Sequence, residues 1–105
     1  MSEDKMKKKL CKITVLKRTI HQDLYKEIRG EEGVPCEVFK EGQEFILDSP
    51  SFSVPDGFCP WAWADIRSFL HGIFGGVKYA GKNAFVACCT DGFRPVLFKI
   101  ESILE

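Results

Sequence analysis

GFCPWAWADIRSFLHGIFGG, residues Gly57 to Gly76, is the stretch that decides the fold of this chain. Pro60 suits the first position of a helix, where its missing N–H costs nothing. Ala62, Ile66, Phe69, Leu70 and Ile73 then recur at helical spacing and make one core-facing stripe. Gly75 and Gly76 allow a left-handed cap, so the spacing predicts a helix over 60–74. The opposite side carries Trp61, Asp65, Ser68 and Gly72. A tryptophan on a polar helix face is unusual.

Upstream, Leu10 to Arg18 is β-branched and alternates, with Cys11, Ile13 and Val15 on one face and Lys12 and Thr14 on the other. That pattern predicts a half-buried strand. A short helix is expected near 21–29, where Leu24 and Ile28 are one turn apart and Gly30 can stop it. Cys36–Phe39 and Glu44–Leu47 read as two short strands around a turn containing Gly42. Asp48 to Gly57 reads as a surface loop, because it has two prolines and no periodicity. Downstream, Ala84–Cys89 and Pro95–Glu101 flank the turn signal Thr90-Asp91-Gly92 and form a second hairpin.

This order of elements predicts an α+β domain. We expect an antiparallel sheet of about five short strands with the 60–74 helix packed on one face. A partly open small β-barrel with a helix is the alternative, suggested by the short strands around Gly42. Residues 1–9 read as a disordered leader, and 10–105 as a single domain.

Composition narrows the classes of function. Of 105 residues, 45% are hydrophobic and 29% charged, as in an ordinary folded protein. Fifteen Lys/Arg balance fifteen Asp/Glu, so the cation surplus that displaces counterions from phosphates is missing. Nucleic acid is not an expected partner. No segment approaches the roughly 18 apolar residues that cross a bilayer, and residues 1–10 contain no apolar core of a secretory signal. No membrane partner and a cytoplasmic location are therefore expected. Nine phenylalanines, all after position 38, imply an aromatic core with surface to spare for a pocket or a homo-oligomer interface.

Five cysteines without a signal peptide argue against a secreted disulfide framework. Cys59 stands just before the expected helix start, where unpaired N–H groups and the helix dipole favour a thiolate. Cys88 and Cys89 are neighbours in a strand, so one should face any site and the other should face away. None of the cysteines stands in the C-x₂-C spacing of a structural metal site. A metal ion is a candidate cofactor only by tertiary convergence of Cys36, Cys59 and one of Cys88 or Cys89, with His21 or His71. Cys59 with His21 is also the one conceivable thiol–imidazole pair, since His71 lies too far along the helix.

The more promising set is polar and aromatic. Trp61, Asp65 and Ser68 share a helix side, while Asp91 and Arg94 come from the hairpin turn. The planar fork of Arg94 can grip a carboxylate, either Asp65 or an anionic ligand. Phosphate-loop and dinucleotide patterns are absent from the sequence.

The blocks VFKEGQEFIL (Val38–Leu47), GFCPWAWADI (Gly57–Ile66) and ACCTDGFRPVLFKIE (Ala87–Glu101) resemble those of a family of small bacterial and archaeal proteins. The resemblance spans about Lys12 to Leu104. That family has no assigned activity, so the resemblance implies that the blocks belong to one fold and names no substrate. Two classes of function follow from the residues. One is a small-ligand or metal-binding module with a thiol-containing site at the start of the main helix. The other is a structural or interaction protein, a homo-oligomer or accessory subunit with buried cysteines. An enzyme ranks third, because no complete catalytic set is visible.

Overall fold

In the computed structural model, residues 9–48 and 53–104 are described. They form β1 (Lys9–Arg18), α1 (Gln22–Arg29), β2 (Glu44–Leu47), α2 (Pro60–Phe74), β3 (Ala84–Cys88) and β4 (Val96–Leu104). Residues 1–8 of the expected leader and 49–52 of the expected loop lie outside the described residues; Lys9 already belongs to β1.

The strands make one open antiparallel sheet in the order β2-β1-β4-β3. The α+β architecture is the expected one, and the sheet does not close into a barrel. Alternation divides its two faces. Cys11, Ile13 and Val15 of β1 join Val96, Phe98 and Ile100 of β4 in the core. On the other face Lys12 reaches Glu44 and Glu101, each at 3.5 Å, and Lys99 reaches Glu101 at 3.6 Å. A register shift between Val15 and Lys17 leaves Leu16 half-exposed.

α2 covers the apolar face. Pro60 opens it at the position its ring prefers. Ala62, Trp63, Ile66, Leu70 and Ile73 are buried against the sheet. Fully burying a side chain such as Ile66 or Leu70 contributes about 1.5–3 kcal/mol, so this stripe is a main source of the domain's stability. Phe69 sits at the margin of the stripe and packs on Tyr79 and Phe85. Gly75 stays right-handed, and Gly76 takes the left-handed turn at φ 87°.

The strand count is four, not five, because Cys36–Phe39 forms no strand. Its backbone is engaged elsewhere. Gln22 clasps Gly33 through both amide atoms, and the Arg18 guanidinium donates to the Cys36 carbonyl at 3.1 Å. Phe39 then turns into the core and meets Phe58 at 5.0 Å and Phe98 at 5.1 Å between ring centroids. Aromatic edge-to-face packing of this kind outweighs one more short ladder. β2 therefore pairs with β1, anchored by mutual hydrogen bonds between Val15 and the Gly42–Gln43 turn.

α1 lies outside the core and buries no residue. It hangs from the segment between β3 and β4. His21 N–H donates to the Phe93 carbonyl, and Thr19 donates to Pro95 through both N–H and hydroxyl. The Tyr25 ring meets Phe93 edge-on at 5.6 Å.

Candidate functional site

A cavity of about 440 Å³ opens where three parts of the chain meet. The first turns of α2 supply Cys59, Trp61 and Asp65. The connection from β3 to β4 supplies Cys89, Thr90, Asp91 and Arg94. The irregular segment before β2 supplies Cys36 and Val38. All five residues of the expected ligand-binding set, Cys59, Trp61, Asp65, Asp91 and Arg94, thus line one cavity.

Local geometry explains how each is placed. Cys59 is the N-cap of α2 with extended backbone, and its carbonyl takes the first helical bond, from Trp63 N–H at 2.9 Å. Its thiol makes no cap bond. Among the described residues the Trp61 and Ala62 N–H groups therefore have no acceptor, as expected for a first turn. Trp61 follows and is 83% exposed at the rim, with Val38, itself 54% exposed, also in the lining. Trp63, two positions on, points to the opposite side and packs on Phe58. The two tryptophans thus do different work.

Asp65 does not pair with Arg94. Its carboxylate accepts the Thr90 N–H at 2.8 Å and the Thr90 hydroxyl at 3.1 Å. Asp91 is also engaged, because its Oδ1 accepts the N–H groups of Phe93 at 2.9 Å and Arg94 at 3.1 Å. That is an Asx turn, the reason an aspartate suits this position. With both carboxylates occupied, the Arg94 guanidinium has no hydrogen-bond or ion-pair partner among the described residues. Arg94 as a residue is half-buried and lines the cavity.

Of the neighbouring cysteines, Cys89 faces the cavity and Cys88 is exposed beyond it. Cys89 is held by Val96 on both sides. Its N–H donates to the Val96 carbonyl at 3.1 Å, and its sulfur accepts the Val96 N–H at 3.3 Å. In a regular ladder that amide would find the Cys89 carbonyl. Here the thiol stands in for it as β3 ends. Cys11 is wholly buried in the core.

The expected metal set is not assembled. Cys36, Cys59 and Cys89 share the cavity, but His21 and Cys88 lie outside its lining. Among the described residues no three His, Cys, Asp or Glu side chains come together to hold an ion. Cys59 and His21 likewise do not share the cavity, and His21 occupies the N-cap position of α1 without a side-chain cap bond. The cavity offers soft thiols, a cation, two carboxylates, a flat ring and apolar walls.

Five lining residues, Val38, Phe39, Ala62, Thr90 and Val96, are not among those singled out from the sequence for their chemistry. Thr90 carried a signal, since a hydroxyl beside the Asp91 turn is a ready partner for a helix carboxylate. Val38 carried none, because its segment was expected to be a strand.

Comparison with protein-family models, with curated proteins and with solved structures finds no match. Among the described residues no helix is long and apolar enough to cross a membrane.

Proposed function

We propose that this chain is a small-ligand-binding module whose site is the cleft at the start of α2. One observation carries the reading: the five residues singled out for their chemistry line a single cavity of about 440 Å³. That volume falls in the range of small-molecule sites, about 300–1,000 Å³. Apolar walls with a few convergent polar groups are the usual make-up of such sites. We read the function as binding, not catalysis, because no imidazole lines the cleft beside its thiols. The thiols suit a reducing compartment, so we place the protein in the cytoplasm, with neither nucleic acid nor membrane as partner. The resemblance of its blocks to small prokaryotic proteins belongs to the same proposal.

The test is native mass spectrometry of protein purified without chelator, followed by alkylation of the thiols. The expected result is a bound small molecule, with Cys36, Cys59 and Cys89 slower to alkylate in the loaded protein than after its removal. An empty mass in a defined oligomer, with these thiols as slow as Cys11, would overturn it.

One observation favours a second reading, an interaction protein or homo-oligomer. Trp61 is 83% exposed, and large aromatics at a rim are frequent interface anchors. On that reading a partner covers Trp61, and the same spectrum gives a ligand-free dimer or larger assembly.

A further inference from the structure

We propose that the ligand of this cleft is an apolar organic acid, a molecule with one carboxylate and a flat or branched hydrocarbon body. The inference rests on the cleft being a binding site. Its basis is Arg94. Arg94 is a half-buried residue of the cavity lining, and a guanidinium that loses hydration in such a wall is normally compensated by a carboxylate partner. Two carboxylates, Asp65 and Asp91, stand in the same wall, yet neither takes it. Asp65 is bound to Thr90, and Asp91 shapes its own turn. Arg94 thus lines the cavity as a charged fork whose N–H donors have no partner among the described residues. Trp61 and Ala62, whose N–H groups belong to the uncapped first turn of α2, line the same cavity, and such a turn offers donors for an anion.

Charge selects the kind of anion. One cation and two carboxylates leave this wall with a formal charge of −1, so each negative charge on a ligand is repelled, and a carboxylate monoanion seated on the Arg94 fork meets less of that repulsion than a phosphate dianion. The remainder of the ligand lies against Trp61 and Val38, which offer a ring face and a branched chain.

The experiment uses 1-naphthoate and its neutral counterpart 1-naphthalenemethanol as probes. Each is titrated into the full chain while the backbone amides of Trp61, Ala62 and Arg94 are followed by ¹H–¹⁵N NMR. The expected result is that the acid binds about ten-fold tighter than the alcohol, as a charge-assisted hydrogen bond gives. Arg94→Met should remove that advantage, so that acid and alcohol bind this variant alike. Arg94→Lys should keep part of it, as a point charge without the fork. The amide spectrum of each variant reports its fold directly. Equal binding of acid and alcohol to the unaltered chain overturns the acid ligand and leaves the cleft a binding site. An acid advantage that survives Arg94→Met also overturns it. If neither probe shifts the cleft amides, the reading of the cleft fails, and the acid proposal with it.

Discussion

The carboxylate of Asp65 holds Thr90 at two points, the backbone N–H at 2.8 Å and the hydroxyl at 3.1 Å. This clasp joins the second turn of α2 to the chain just after β3. It fixes the mouth of the cleft and leaves Arg94 without an acid partner. A carboxylate that accepts both donors of one residue cannot be replaced without loss. Asp65→Ala should destabilise the domain by about 1–2 kcal/mol, the scale of hydrogen bonds to a charged group at a partly exposed site. Asp65→Asn keeps an acceptor and should lose less. In urea denaturation, combining Asp65→Ala with Thr90→Val should cost less than the sum of the single changes. Strict additivity would mean the hydroxyl half of the clasp contributes nothing.

The thiols should separate by exposure. Cys88 is exposed, Cys36, Cys59 and Cys89 are half-buried, and Cys11 is buried. Iodoacetamide followed by peptide mapping should label Cys88 first and Cys11 only on unfolding. A cleft ligand should slow Cys59 and Cys89 and leave Cys88 as an internal reference. Protection of Cys88 instead would move the site to the far side of the sheet.

Gly72 is a helix residue where any Cβ would collide with the Tyr79 hydroxyl. Gly72→Ala should therefore destabilise the protein, although alanine is the better helix former by about 1 kcal/mol. The colliding atom is the hydroxyl oxygen, so Tyr79→Phe should reverse the effect. In the Tyr79→Phe background, Gly72→Ala should raise the melting temperature. A lower one would show that the ring also blocks the site.

Two isoleucines on two helices give opposite expectations. Ile66 of α2 is wholly buried, whereas Ile28 of α1 is 67% exposed. Ile66→Ala should cost about 2–5 kcal/mol through lost burial and a residual cavity. Ile28→Ala should stay within about 0.5 kcal/mol of the original. Calorimetry on both variants checks the pair, and similar losses would place α1 in the core.

The main helix was legible to the residue, because Pro60 and the closing glycines mark its ends and the apolar stripe marks its buried face. The hairpin after it was legible from Thr90-Asp91-Gly92. Cys36–Phe39 was not. Its residues alternate like a strand, but rings distant in sequence, Phe58 and Phe98, draw Phe39 inward. Alternation cannot report a contact made by another part of the chain. The members of the cleft could be named from chemistry, and their wiring could not. Helical spacing shows which side of α2 carries Asp65; whether Thr90 or Arg94 meets it depends on a few ångströms of turn geometry.

α1 buries nothing and rests on carbonyls of Phe93 and Pro95, one of which flanks Arg94 on each side. Mechanically it is a passenger on the cleft wall, with no footing of its own in the interior. Its amides should therefore exchange with deuterium at a rate set by the loosening of that wall. Eight residues far from the cleft floor become a readable gauge of how tightly the cleft is closed.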